Sequence, residues 1–279
     1  MPELPEVETV RRGLEAVLPG RRARSVEVRG KRTARRQGPS VLRRRLEGRT
    51  FVRCERRGKY LALVLDSGEV LVVHLRMSGQ LLFAKDPSTV PFAPHTHVVV
   101  GLDDGSELRF VDPRTFGEWY VTDELGDDGL PVEFDRLGPD PLVDKVTTSL
   151  LARRLSGRSS ALKIVLTDQR VIAGIGSLYA DEICHLARLR PDRLVGGLTR
   201  DEIRALSRSM NRLLKAATKE RGSSLRDAQY RDLMGELGSY QLRHRVYDRA
   251  GQACARCQTT IERVMIGARS AYLCPGCQR

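Results

Sequence analysis

The chain has 279 residues, 41% hydrophobic and 30% charged, and no apolar run of ~18 or more, which excludes a disordered polymer and gives no candidate membrane-spanning helix. Its length suits two modest domains better than one, because single cores stop growing near ~250 residues. The net charge of +13 is divided unevenly, at +11 over residues 1–59, −10 over 60–142 and +12 over 143–279. Two basic modules bridged by a polyanion account for this split through counterion release from phosphates; a solvated basic surface is the other reading. Only 7 of the 48 basic residues are Lys, so Lys59 and Lys163 stand out as places where a compact point charge is used in place of an arginine fork.

The first element predicted is a helix over residues 5–18, where Val7, Val10, Leu14 and Val17 fall at helical spacing before Pro19-Gly20 stops the pattern. The opening MPELPEVETVRRGLE carries carboxylates and no apolar core of a secretory signal, so a cytoplasmic protein without membrane attachment is expected. From Arg49 to Thr122 short apolar or alternating runs follow (KYLALVL, EVLVVHL, HVVVGL, ELRFV, EWYV). Asp66-Ser67-Gly68 and Asp103-Asp104-Gly105 between them read as hairpin turns. An antiparallel β domain is expected there, with a Gly-, Pro- and acid-rich linker from Asp123 to Asp144.

Beyond the linker the texture is helical. Residues 149–155, 160–168 and 176–187 read as short helices. Thr199 with Glu202 forms a capping box ahead of the apolar face Ile203, Leu206, Met210, Leu213 and Leu214. Between two of the short helices, Ala173-Gly174-Ile175-Gly176 suits either close approach of a phosphate to helix-start amides or a tight turn with no ligand.

Cys254, Cys257, Cys274 and Cys277 form two C-x2-C pairs separated by 16 residues. Each pair offers two thiolates from one turn, so a closed structural zinc site with one ion is expected, two disulfides being the competing reading. Cys54 and Cys184 lack partners at ligand spacing and read as small buried apolar residues.

The segments MPELPEVETVRRGL, RRGKYL (56–61), HLRMSGQL (74–81), DPRTFG (112–117), LGPDPL (137–142), LTDQRVIAGIGSLYADE (166–182) and the cysteine finger resemble, in order, motifs of the formamidopyrimidine-DNA glycosylase and endonuclease VIII family. The resemblance spans nearly the whole chain. It implies an α+β fold: an amino-terminal antiparallel β-sandwich with flanking helices (1–130), a linker (131–144), a helix-two-turn-helix module (145–243) and a zinc finger (244–279). Damaged double-stranded DNA would lie in a cleft between the domains, and a monomer is expected.

The same resemblance implies a bifunctional glycosylase and abasic-site lyase. Loss of Met1 would expose the secondary amine of Pro2, which titrates near ~7.7–8.0 and attacks deoxyribose C1′, so that base excision and β,δ-elimination share one iminium. Glu3 would transfer protons at the sugar, with Glu6 supporting the amino terminus; by themselves both read as an acidic first turn. Lys59 would reach a phosphate or the departing base, and Lys163 a phosphate or the lesion. Met77, Arg114 and Phe116 would fill the void left by a flipped base, although singly Met77 and Phe116 read as core residues. Tyr240 would belong to a loop over that base, and Ser177 and Arg269 would meet phosphates.

Four positions depart from the family pattern. Ser177 stands for an asparagine in GIGN, Thr115 for a second arginine in DPRRFG, Arg76 for a glycine in HLGMSG, and GSY for GYF in the 222–241 region. They leave open an endonuclease VIII-like preference for oxidised pyrimidines, or a damage-binding protein without catalysis. Nothing resembles a base-reading transcriptional zinc finger.

Overall fold

The computed structural model describes residues 2–225 and 230–279, which form two compact units, 1–135 with 220–241 and 136–219 with 242–279. The division at 130, 144 and 243 drawn from the sequence therefore misses one exchange: Glu220–Gln241 returns to the amino-terminal unit.

In the first unit, α1 (Leu4–Val17) precedes β1 (Ala23–Val28) and α2 (Pro39–Leu46), and then come β2 (Phe51–Arg57), β3 (Tyr60–Leu65), β4 (Val70–His74), β5 (Gln80–Ala84), β6 (Thr96–Leu102), β7 (Glu107–Val111) and β8 (Glu118–Thr122). Two four-stranded sheets result, ordered β1-β6-β7-β5 and β2-β3-β4-β8. Every pairing is antiparallel, and both expected hairpin turns join neighbours, β3 to β4 and β6 to β7. One core holds the sheets together: Val98, Val100, Leu108 and Phe110 from the first meet Leu61, Leu63, Val73 and Trp119 from the second, and α1 adds Val7, Val10 and Leu14. The Phe110 and Trp119 rings lie 5.5 Å apart. Alternation of inward apolar residues on antiparallel strands is what a sandwich requires, and the fold is the α+β arrangement expected.

The predicted first helix is α1, with Pro5 in its first turn. Three strands and one helix were not anticipated, β1, β2, β5 and α2, and of these β1, β2 and α2 lie in arginine-rich sequence. In α2 Pro39 opens the helix and Leu42 and Leu46, one turn apart, are its buried residues.

The second unit contains α3 (Thr148–Leu155), α4 (Leu162–Thr167), α5 (Ser177–Ala187) and α6 (Arg200–Lys219), then the hairpin β9 (Glu262–Ile266) with β10 (Arg269–Leu273). The capping box at the start of α6 is formed: Thr199 Oγ1 accepts the Glu202 amide at 3.3 Å and Glu202 Oε2 accepts the Thr199 amide at 2.8 Å. Leu206, Met210, Leu213 and Leu214 are buried on one face of α6. Among the described residues no helix is long and apolar enough to cross a membrane.

Candidate functional site

Pro2, Glu3 and Glu6 are all buried at the head of α1. Met1 lies outside the described residues. Glu6 Oε2 accepts the Glu3 amide at 2.8 Å, and Glu6 Oε1 accepts the Ser223 amide at 2.7 Å. One carboxylate thus ties the backbone beside Pro2 to the segment that returns from α6. Charge-assisted bonds of this kind are about twice as strong as neutral ones. At the entry to that segment Gly222 has φ +73°, and a Cβ there would meet Glu6 Oε1 at 2.5 Å, so any side chain at this position is both strained and crowded against Glu6.

Lys59, also buried, occupies the turn between β2 and β3. A relay of polar contacts fixes this turn to α1. Glu8 accepts Arg56 Nε at 2.9 Å, and Arg56 Nη1 donates to the Gly58 carbonyl at 2.9 Å. Burial raises the Glu8 carboxyl, but hydrogen bonds from Arg11, Arg56 and Arg12 outweigh it and bring the group down to about 2.

Met77 and Phe116 are not core residues: their exposures are 41% and 38%, and Arg114 is exposed as well. They stand on two turns, between β4 and β5 and between β7 and β8. Asp112 organises both. Its Oδ1 accepts Ser78 Oγ at 2.5 Å and the Arg114 amide at 3.3 Å, and its Oδ2 accepts the Gly117 amide at 2.6 Å. Two large apolar side chains are therefore presented to solvent on hydrogen-bonded turns, an arrangement suited to insertion between base pairs.

Tyr240 is buried, and its amide donates to the Gly222 carbonyl at 2.9 Å. The two limbs of the segment are tied again where Ser224 Oγ donates to the Tyr230 carbonyl at 2.7 Å and accepts the Gly238 amide at 3.0 Å. The loop expected over 222–241 includes residues 226–229, which lie outside the described residues.

In the second unit the expectation for Lys163 is corrected. Its side chain is 1% exposed, and Nζ is spent on Asp181 at 2.7 Å and on the Ser270 carbonyl at 2.5 Å. Asp181 also accepts the Tyr272 amide at 3.0 Å. The lysine is thus a buried cross-link between α4, α5 and β10, and an ammonium so placed has no open face for a phosphate. Neighbouring Glu182 accepts the amides of Arg245, Val246 and Tyr247 at 2.8–2.9 Å, fastening the approach to the cysteine finger.

Ser177 is the first helical residue of α5, whereas the N-cap is Gly176, which has no side chain to cap with. Gln169 shapes the preceding loop by donating to the Ile175 carbonyl at 2.8 Å and accepting the Gly174 amide at 2.8 Å. The ligand-free turn and the phosphate cradle share this geometry. Arg269 is exposed at the start of β10 and donates to Thr167 Oγ1 at 2.8 Å.

The four cysteines converge. Their Sγ atoms all lie within 4.8 Å of one another, with separations of 3.8 Å for Cys254 and Cys277 and 3.4 Å for Cys257 and Cys274. Four thiolates ~2.3 Å from a tetrahedral zinc stand about 3.8 Å apart, so the cluster fits that ion. All six cysteines are free, and Cys54 and Cys184 are buried as expected. His185 Nε2 faces Cys254 Sγ at 3.5 Å. Burial, then the charges of Arg256, Arg245 and Arg249, lower that imidazole to about 4 and keep it neutral, a suitable outer partner for a ligating thiolate.

Sequence reasoning missed Gly222, Glu8, Arg56, Glu182 and His185. Gly222 follows α6 and reads there as an ordinary helix stop; the others act through partners far away in the chain.

Comparison with known proteins agrees with this architecture. Residues 1–119 match the model of the formamidopyrimidine-DNA glycosylase N-terminal domain, residues 137–229 that of its H2TH domain, and residues 251–279 the zinc finger found in FPG and IleRS. The chain is 42% identical over 279 residues to a formamidopyrimidine-DNA glycosylase of Herpetosiphon aurantiacus, covering all of both chains. It is 43% identical to one of Chloroflexus aggregans, covering 100% of this chain and 98% of the other. Among solved structures it resembles Lactococcus lactis Fpg in complex with DNA containing an abasic site (TM-score 0.89, 32% identity, 99% of each chain). It also resembles the MutM (Fpg) protein of Thermus thermophilus (TM-score 0.86, 37% identity, 99% of this chain and 98% of that one).

Proposed function

This chain belongs to the formamidopyrimidine-DNA glycosylase family, and we propose that it excises oxidised bases from double-stranded DNA and then cleaves the abasic strand, as a step of base excision repair. The amine of Pro2, freed of Met1, bonds to C1′ as the bond to the damaged base breaks and the base leaves with a proton; the C1′–O4′ bond then opens, O4′ takes a proton, and an iminium remains. The iminium acidifies the C2′ proton, whose removal expels the 3′ phosphate, and removal of a second proton, from C4′, then expels the 5′ phosphate. Glu3 moves protons at the sugar, and acid–base help of this type is worth ~10²–10⁴-fold. Lys59 attends the phosphate or the departing base. Its buried position is consistent with a site from which water is excluded.

The observation that carries this reading is Glu6, whose two oxygens hold the Glu3 amide and the Ser223 amide. The bond to the Glu3 amide is the usual half of a capping box, whereas the bond to the Ser223 amide comes from a distant part of the chain and suits the immobilisation of a reacting amino terminus. Met77 and Phe116 occupy the gap after base flipping, Arg114 faces the unpaired base, and Ser177 and Arg269 hold phosphates, with Tyr240 in the segment over the lesion. One zinc on Cys254, Cys257, Cys274 and Cys277 keeps the finger folded and takes no part in the chemistry, because its four positions are filled by thiolates. Lys163 supports the same finger from within. The protein acts as a monomer, in the cytoplasm and away from membranes. The catalytic unit comprises the amino-terminal residues to about 135 with the returning segment 220–241, and the helical module and the finger add to the hold on DNA.

Duplexes carrying 8-oxoguanine, a formamidopyrimidine, thymine glycol or no lesion test the reading on one denaturing gel. Strand cleavage is expected for the oxidised purines ahead of thymine glycol. Binding to every damaged duplex with no cleavage of any would leave a damage-binding protein and overturn the enzymatic reading.

A further inference from the structure

Arg76 and Thr115 carry a positive φ, +54° and +55°, in a part of backbone space that side chains with a Cβ seldom occupy. Each sits directly beside one of the two exposed apolar residues, Arg76 before Met77 and Thr115 before Phe116. Strained backbone of this kind persists only where its surroundings over-determine it, and at Arg76 they do. Its amide donates to His74 Nδ1 at 2.9 Å. His74 is a buried imidazole kept neutral by burial and by the cations around it, Arg76 first. The guanidinium reaches across to Glu118 at the start of β8, with Nη2 3.3 Å from Oε2.

Glu118 is 5% exposed and also receives Arg35 Nε at 3.3 Å and Arg36 Nε at 3.1 Å. Arg35 then donates to the Gly117 and Phe116 carbonyls at 3.0 and 3.2 Å, and the Arg32 guanidinium lies 5.3 Å from the Phe116 ring centre. The turn bearing Met77 and the turn bearing Phe116 are thereby tied through a single carboxylate. One negative charge among three arginines makes an anchor that no neutral residue reproduces.

We propose that Arg76 is a positioning residue: by clamping to Glu118 it fixes Met77 at a set distance from Phe116, so that both enter the base stack together. The proposal rests on the glycosylase reading above. Its consequence is selective. A rigid wedge matters when a paired lesion must be driven out of a duplex and matters little for a single strand, which has no stack to open.

The test compares wild type, Arg76→Gly, Met77→Ala and the double variant. Measurements are single-turnover excision of 8-oxoguanine from duplex DNA, borohydride trapping on a single-stranded abasic oligonucleotide, and the thermal midpoint. Arg76→Gly is expected to slow duplex excision about tenfold, to leave single-strand trapping within about twofold, and not to lower the midpoint, since glycine is unstrained at φ +54°. Adding Met77→Ala is expected to slow excision little further, because a wedge already loose has little left to lose. Glu118→Gln, which retains the Arg76 side chain and weakens its anchor, is expected to show the same pattern at smaller amplitude. Duplex excision by Arg76→Gly at the wild-type rate, fully additive losses in the double variant, or equal losses on duplex and single strand would overturn the clamp. Wild type that neither excises nor traps would sink the glycosylase reading itself.

Discussion

Gly222 and Glu6 are in contact so close that a single added methyl at Gly222 would sit 2.5 Å from Glu6 Oε1. The relationship couples a backbone choice near residue 222 to the position of the amino terminus, because the same carboxylate holds the Glu3 and Ser223 amides.

Gly222→Ala therefore meets two obstacles, the contact with Glu6 and a φ of +73°. It is expected to cost about 1–3 kcal/mol of stability and to slow sugar chemistry by roughly tenfold or more, since ångström-scale misplacement of a reacting group is that costly. DNA affinity should change far less than the rate of borohydride trapping. Calorimetry with single-turnover kinetics separates the two, and a parallel loss in both would assign Gly222 to folding alone.

The Glu8 and Arg56 relay has a pH signature. The folded-state carboxyl of Glu8 lies at about 2, below its ordinary value of 4.5, so its contribution to stability is complete above that value and is lost as pH falls toward about 2. Glu8→Gln is expected to lower stability at neutral pH by about 1–2 kcal/mol, a figure reduced for partial solvent screening. The gap between variant and wild type should close between about pH 4.5 and pH 2. Urea unfolding across that range measures it; a gap independent of pH would remove Glu8 from the relay.

Replacing Lys163 separates a structural lysine from a DNA contact. Lys163→Met leaves Asp181 buried without its counter-charge, a change of about 3–5 kcal/mol in comparable pairs. The dependence of binding on salt should remain as in wild type. A phosphate contact would instead lower the log–log salt slope by about 0.9 with little thermal effect.

Zinc removal should dismantle the finger and spare the amino-terminal chemistry. Cys257→Ser is expected to release one zinc per chain, read with a colorimetric chelator, and to weaken duplex binding about tenfold or more, because ligation energy is folding energy in so small a module. Trapping on a single-stranded abasic oligonucleotide should persist. Loss of trapping equal to the loss of binding would contradict this division of labour.

Much of the fold is legible in the sequence because its signals are local. Short apolar or alternating runs mark β3, β4, β6, β7 and β8, the two Asp-containing turns join the pairs observed, and Thr199 with Glu202 starts α6 where expected. Harder to read are β1 and β2, whose buried residues are scattered among arginines, as the pattern of Phe51, Cys54 and Arg56 in β2 shows. The buried Arg56 is apolar in placement and charged in chemistry, and only its distant partner Glu8 explains it.

The site divides in the same way. Four cysteines at ligand spacing announce a metal centre without any structure, whereas Met77 and Phe116 look like core residues until their exposure is known. Lys163 misleads for the opposite reason: a lone lysine in an arginine-rich chain suggests a phosphate, but its partner Asp181 lies a helix away. The return of 220–241 to the first unit combines the Ser223 amide on Glu6 with Tyr230 and Leu233 buried in the first core, and two scattered apolar residues in a segment without periodicity do not announce such a partner.

The most direct measurement is peptide mapping, by mass spectrometry, of the species trapped when borohydride reduces the complex with abasic DNA. The account requires a chain lacking Met1, with the sugar remnant on the nitrogen of Pro2 and no adduct in Pro2→Gly. A sugar remnant on Lys59 or any other side chain, or full activity in a chain that keeps Met1, would contradict it.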